Sequence, residues 1–419
     1  MKRPLLHASV AFLALVITTS LPAFGQYTYT ITDLGNLGEY STFASGLSNN
    51  RRVTGNSTIT PTAAAAEPST GTRLRAYSWQ NGVMTNLGAL PNATTNRFAR
   101  GFGINDSGVV VGDFNNSTAR AFVYDPAVGS MVGLPRLAGD NDNGVAEDIN
   151  NAGVIVGISS RNNAGTFVSR ATRWDKDAGG NYVPTDLGSI DGTINTTARA
   201  NAINDNNAIA GSSRDAVAAT SQATLWNGGT ITDLNSLGDG NRFSQGNGLN
   251  NSNVVVGQSF TGQTVGQLIG TTSTTSITRA FVWQNGAMSE LAPFNLYDAG
   301  TGNTGMTTNY HSIASDVNDA GLIVGRSERI LGSAAAATLW TTADSTPIDL
   351  NTLIPAGSGW VLRSAEHINA NGDIVGFGTF DGVTRGFLLT PVPEPASLAT
   401  LTLVALAFTQ RRRIMKSQP

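Results

Sequence analysis

The residues of this chain best suited to chemistry are carboxylates gathered in a few polar segments. Asp140-Asn141-Asp142-Asn143-Gly144 begins like a calcium-binding loop, with oxygen ligands at alternate positions and a glycine for the turn. The loop lacks the bidentate Glu expected at its twelfth position, where Asn151 stands. Asx-turn capping accounts for the same residues without a metal. Glu39, Asp191, Asp239 and Asp298 occupy comparable segments. Brought to one face, Asp140, Asp142, Asp191, Asp239 and Asp298 could hold Ca²⁺ at Asp140 and Asp142, or receive a cationic or hydroxyl-rich ligand.

Nucleophilic and acid–base chemistry has less to draw on. The chain has no cysteine, and beyond residue 25 its only histidines are His311 and His367. Neither lies in an HExxH helix or near a GxSxG elbow. His311 falls in the long segment 295–312 and is the better catalytic candidate by position. His367 occupies a slot that is Gly, Asp or Ala in the other repeats, which predicts a rim residue. No pair of acids is held at a separation that a glycosidase would need. Gly300–Gly305 precedes no helix and is no phosphate cradle. No catalytic residue is assigned.

The elements that must position these groups are repeats. An apolar residue plus Asn or Ser recurs seven times, with a Gly always seven positions later: Ser48 to Gly55, Asn105 to Gly112, Asn150 to Gly157, Asn204 to Gly211, Asn250 to Gly257, Asn318 to Gly325 and Asn369 to Gly376. Between them lie turn residues such as NDSG and NNAG, then β-branched runs such as VVVG and VIVG. A second motif follows each copy (RAYSW, RAFVY, RATRW, QATLW, RAFVW, AATLW, RGFLL). Alternation puts Arg279, Phe281 and Trp283 on one strand face and Ala280 and Val282 on the other. Trp79, Trp174, Trp226, Trp283 and Trp340 therefore read as packing between neighbouring sheets. A third motif closes the unit, as in NLG (86–88) or TDLG (185–188). It follows six copies of the second motif, and the missing seventh lies upstream in Ile31-Thr32-Asp33-Leu34-Gly35.

Four strands per unit, with the last unit completed from the other end of the chain, predict an all-β fold: a seven-bladed β-propeller closed by its N-terminal strand. The Gly markers lie 45 to 68 residues apart, near the pitch of one blade. An open β-solenoid is the alternative, and it has no need of the upstream strand. In a propeller the tight turns share one face. The long segments 58–72, 260–276 and 295–312 share the other, which is where binding is expected. The paired motifs across 27–391 resemble HAF repeats, with Arg, Gln or Ala in the His slot. That family implies no particular activity.

The chain ends carry addresses. MKRPLLHASVAFLALVITTSLPAFG has the basic start, apolar run and small-residue exit of a secretory signal peptide, residues 1–25. At the other end Val392-Pro393-Glu394-Pro395, a short apolar run and Arg411-Arg412-Arg413 resemble the PEP-CTERM sorting signal, over 392–413, before a tail at 414–419. The resemblance implies an exosortase partner, a transient membrane helix, and delivery to the periplasm, outer surface or extracellular matrix of a Gram-negative bacterium that makes exopolysaccharide. Removing 1–25 and 396–419 takes six basic residues and no acids. The remaining 26–395, with the repeat domain at 26–391, then has 20 Lys and Arg against 29 Asp and Glu, a net −9. Such a surface disfavours nucleic acid. Two functions fit: a non-enzymatic binding or structural protein that engages exopolysaccharide or the cell envelope, and a carbohydrate-active hydrolase or lyase on the same face.

Overall fold

The computed structural model describes residues 28–38, 40–59, 73–90, 98–115, 119–141, 143–163, 166–193, 196–214, 220–238, 243–264, 276–294, 311–328 and 334–392. Among these the chain is all-β, and its only helical piece is a short 3-10 turn, Leu350–Thr352. The signal-peptide residues, Pro393 onward, Glu39, Asp142, Asp239, Asp298 and most of the long segments lie outside the described residues. Contacts divide the chain into Tyr29–Pro391 and a second unit made of its two ends. Every described strand belongs to the first.

Each repeat contributes an antiparallel meander. The first four repeats form β2 (Thr42–Leu47), β3 (Val53–Ile59), β4 (Arg73–Gln80), β5 (Val83–Asn86); β6 (Phe98–Ile104), β7 (Val110–Asn115), β8 (Ala119–Asp125), β9 (Ser130–Gly133); β10 (Gly144–Ile149), β11 (Ile155–Asn163), β12 (Thr166–Lys176), β13 (Tyr182–Asp186); and β14 (Ala198–Ile203), β15 (Ile209–Arg214), β16 (Ser221–Asn227), β17 (Thr230–Asp233). The fifth and sixth form β18 (Ser244–Leu249), β19 (Val255–Thr264), β20 (Ser276–Gln284), β21 (Ala287–Glu290) and β22 (Ser312–Val317), β23 (Leu322–Ser327), β24 (Ala336–Thr341), β25 (Ile348–Asp349). The last repeat supplies only β26 (Trp360–Ile368), β27 (Ile374–Phe380) and β28 (Val383–Pro391). Its fourth strand is β1 (Tyr29–Asp33), which pairs with β28 from Tyr29 opposite Pro391 to Asp33 opposite Phe387. A single parallel bridge, Leu74 to Phe98, joins the first two meanders into one eight-stranded sheet, and the other five are sheets of four.

Sheets pack face to face through the second motif, with the predicted alternation. Phe281, with Trp283 packed against it, meets Ala223 and Leu225 of the preceding repeat. Ala280 and Val282 meet Ala314, Ile323 and Trp340 of the following one. Trp174 and Trp340 are at most 1% exposed, and their indole N–H groups donate to the carbonyls of Pro135 and Ala292. A side chain buried this far contributes about 2–3 kcal/mol, so these layers dominate the stability. One cluster joins Leu34 to Ala44, Trp79, Val375 and Leu388, and so holds chain ends and first repeat together.

The constant interval between Asn and Gly has two causes. A Cβ on any of Gly55, Gly112, Gly157, Gly211, Gly257, Gly325 and Gly376 would lie 1.9 to 2.1 Å from a carbonyl oxygen of the strand beside it, a contact no side chain survives. At the other end the Asn closes its own turn: Asn204 Oδ1 accepts the amides of Asn206 and Ala208. The residue three positions on has φ near +60 to +80, at Gly108, Asn207 or even Arg51.

The same Asn amides link neighbouring repeats. Asn105, Asn150, Asn204, Asn250 and Asn318 each donate Nδ2 to the carbonyl of the next Asn in the series, at 2.9 to 3.2 Å. Asn369 donates to Ser48, the first member, at 3.0 Å. Ser48 has no amide to pass the chain on. Asn50 and Arg52 do so instead, bonding to the carbonyls of Asp106 and Ser107. One residue further along, a second series runs through Asn49, Asp106, Asn151, Asp205, Asn251, Asp319 and Ala370, in which the backbone amide donates to the next side chain at every step except from Asp319 to Ala370, which has no side-chain acceptor.

Candidate functional site

The first strands of all seven repeats converge on one cavity of about 640 Å³, lined from their early residues (Arg199, Gln245, Ile313) to the tight turns (Asn49, Asp106, Asn151). That volume suits a small ligand. Each first strand carries a bulge, as between Ala146 and Asp148 or between Ala365 and His367. The bulge breaks the alternation of a regular strand. Consecutive side chains therefore both line the cavity: Glu147 with Asp148, Ser315 with Asp316, and Glu366 with His367.

The charged groups there are largely matched. Glu147 contacts Arg199 across the interface of the third and fourth repeats. Burial pushes its carboxyl up, against the pull of Arg199. Deeper in the same wall, Arg100 grips buried Asp113 through two N–H···O contacts of 2.9 and 2.5 Å, and its guanidinium lies over Phe98 and Phe102. Asp316 Oδ2 accepts the Ile368 amide at 3.0 Å and lies 2.9 Å from His367 Nδ1. The second contact falls outside hydrogen-bond geometry and acts as a charge pair. Burial disfavours the imidazolium, but Asp316 and the more distant Asp148 outweigh it and push His367 up to about 9. Asp148 accepts the amides of Ile203 and Ile149 at 2.9 and 2.8 Å. Burial pushes it up to about 6, with the His367 charge and both amides pulling it back.

The residues singled out from sequence are arranged otherwise. Asp140 is held by Arg170, which also contacts Asp186. Asp191 folds its own loop, accepting Ser189 Oγ at 2.6 Å, the Thr193 amide at 3.0 Å and Thr196 Oγ1 at 2.5 Å. Although burial works against it, those bonds bring its carboxyl down to about 2. Asp140 and Asp191 thus sit in separate networks. His311 Nδ1 accepts the Thr278 amide at 3.2 Å and so ties the residue before β22 to β20. His367, expected at the rim, instead lines the cavity. The cavity spans the length of the first strands, and most of the long-segment face where binding is expected lies outside the described residues. Among the described residues, no group of three His, Asp or Glu has the geometry to hold a metal ion, and no helix is long and apolar enough to cross a membrane. Sequence reasoning missed Glu147, Asp148 and Asp316. Their only signal was the variable slots two positions (Asp148, Asp316) and three positions (Glu147) before the Asn.

Residues 391–413 match the PEP-CTERM protein-sorting motif, which marks export with membrane-anchored sorting and is processed by exosortase. No curated protein matches the chain. Among solved structures it is similar to TolB from Acinetobacter baumannii, at 12% identity over 71% of this chain and 62% of that one, with a TM-score of 0.38. It is also similar to the acylaminoacyl peptidase of Pyrococcus horikoshii, at 10% identity over 86% and 55% of the two chains and a TM-score of 0.46. A third is the polysaccharide lyase Uly1, at 10% identity over 90% and 94% and a TM-score of 0.44. The chain spans less than two thirds of TolB and little over half of the peptidase.

Proposed function

We propose that this chain is a non-enzymatic binding or structural protein, exported and delivered to the cell surface or matrix, where it engages exopolysaccharide or another envelope component. Its scaffold is a seven-bladed β-propeller of HAF-type repeats, closed by the N-terminal strand. Closure is supported by the pairing of β1 with β28 and by the Asn369 bond to Ser48. The signal peptide at 1–25 is removed on export, and exosortase acts on the tail at Pro393–Pro395 and Arg411–Arg413.

The observation that carries the non-enzymatic reading is the engagement of the titratable groups. Glu147 is taken up by Arg199, Asp316 by His367, and Asp148 by two backbone amides. His311 accepts a main-chain amide. An acid–base pair needs groups free to exchange protons with a substrate, and this arrangement commits them to holding sheets together. Ligand engagement through the long-loop face includes Asp140, Asp142, Asp191, Asp239 and Asp298. A glycan array combined with a turnover assay on the bound glycans tests the reading. Binding without turnover, retained when these acids are changed singly to Ala, is expected. Turnover lost with one or two acids would establish a carbohydrate-active enzyme instead. Calcium at Asp140 and Asp142 is tested separately, by calcium-dependent thermal stabilisation that disappears in Asp140→Ala/Asp142→Ala. Mass spectrometry of the secreted protein reads both cleavages.

A further inference from the structure

Two of the cavity's seams share one carboxylate arrangement and differ in the residue set directly beside it. The slot two positions before each Asn holds Asp148 on β10 and Asp316 on β22. Both carboxylates cross to the following sheet and accept the equivalent amide, Asp148 from Ile203 at 2.9 Å and Asp316 from Ile368 at 3.0 Å. Both are approached closely by the preceding repeat: a Cβ on Gly103 or Gly248 would lie 2.8 or 2.7 Å from the Cα of the respective Asp. The difference is what the following sheet places beside the carboxylate. Asp316 receives His367, with Nδ1 2.9 Å away. Asp148 receives Ala202, and both residues line the cavity. The slot that holds an imidazole at one seam holds only a methyl group at the other.

The charges around Asp148 do not make up the difference. Arg199, from β14, is on Glu147, and Arg100, from β6, is on Asp113 of β7. Across the cavity, His367 of β26 is on Asp316 of β22. Glu366, also on β26, accepts Ser364 Oγ and adds a further negative charge. Among the described residues the direct partners of Asp148 are backbone amides alone, and its carboxyl remains harder to ionise than an ordinary Asp. A partly desolvated carboxylate of this kind gains from a cation that brings its own N–H donors.

We propose that Asp148 and Ala202 form a binding site for a planar nitrogen cation, the imidazolium or an equivalent group of a small ligand, seated against Asp148 as His367 is seated against Asp316. This site is distinct from the long-loop face and does not depend on the glycan reading. Ala202 sets the size limit, and Asp148 sets the charge.

Imidazole is the simplest probe, and pyrazole is its neutral isostere. Titration of each into the purified full chain near neutral pH and fixed ionic strength, followed by calorimetry, gives the comparison. Imidazole is expected to bind saturably at one site in the millimolar range, and pyrazole at least about ten-fold more weakly. Ala202→His, which supplies the occupant from the chain itself, should lower imidazole affinity at least about ten-fold, and so should Asp148→Asn. Ala202→Ser, which keeps the volume, should bind as the parent does. Absence of saturable imidazole binding to the parent overturns the proposal, as does equal binding of pyrazole. Undiminished binding in Asp148→Asn also overturns it and decides the matter even if Ala202→His does not fold.

Discussion

The charge pair between Asp316 and His367 should make stability fall as the solution turns alkaline. In the unfolded chain the imidazole titrates near its ordinary 6.5, and in the folded protein it is pushed up to about 9. The folded state therefore holds the proton more tightly, so the contribution is complete below 6.5 and is lost as pH rises through 9. A rise from 6.5 to about 9 corresponds to at most about 3 kcal/mol. The His367 side chain is 32% exposed, and solvent screening reduces this to about 1–2 kcal/mol. Urea unfolding at constant ionic strength between pH 6 and pH 10 measures the slope, and His367→Gln should remove it within that window. Asp148 adds a separate feature. Its folded pKa of about 6 lies above the ordinary 3.8, so its protonated form favours folding and that contribution fades as pH rises from 3.8 through 6. Because the His367 charge pulls Asp148 down, the His367→Gln comparison is made in Asp148→Asn, where this lower window is absent. A slope between 6.5 and 9 that survives in His367→Gln would falsify the assignment of the pair.

Further perturbations test the scaffold. Gly257→Ala puts a Cβ 1.9 Å from the Gln245 carbonyl, so the strands must part; a loss of at least about 3 kcal/mol or failure to fold is expected. Gly133→Ala, whose nearest neighbour would be 3.9 Å away, should change the thermal midpoint little. Asn204→Ala strips two amide acceptances and two donations from a buried turn, at about 2–4 kcal/mol by chemical denaturation. Ser48→Asn should act in the opposite direction by about 0.5–1 kcal/mol, since it supplies a missing amide toward Asn105. Deleting residues 26–33 removes β1 and uncovers Phe387–Pro391. Limited proteolysis should then cut within the last repeat while the middle repeats resist, and uniform resistance would count against closure.

Much of the scaffold was legible because its signals are local. The Asn-turn motif, the alternation of Phe281 and Trp283 against Ala280 and Val282, and the upstream strand around Ile31 all follow from period and count. The spacing of Asn204 and Gly211 was visible too, but its cause was not, since neither the carbonyl facing Gly211 nor the amide link to Asn250 leaves a mark in sequence. The cavity was harder. Strand alternation puts Glu147 and Asp148 on opposite faces, and only the bulge brings both inward. Asp316 meets a histidine 51 positions away, and no motif joins them. Of the carboxylates chosen for their loop positions, the two that are described have partners in the fold: Asp140 in Arg170, and Asp191 in its own Ser and Thr neighbours.

The series from Asn49 to Ala370 has a parity. Its members alternate Asn, Asp, Asn, Asp, Asn, Asp and then break at Ala370. The alternation has a reason: each Asn at 49, 151 and 251 gives both its main-chain and side-chain amides to the two oxygens of the following Asp. A two-letter order closes on itself only around an even number of places. In the proposed ring of seven, one mismatch is unavoidable, and it falls between Asp319 and Asn49, in the repeat that both chain ends build. Ala370→Asn would only move the conflict, setting two carboxamides side by side, and Ala370→Asp would place two carboxylates next to each other. A chain with one repeat more or one fewer could be free of the defect. In that proposed ring the odd count leaves a single weak link in an otherwise regular girdle, beside the sheet in which β1 pairs with β28.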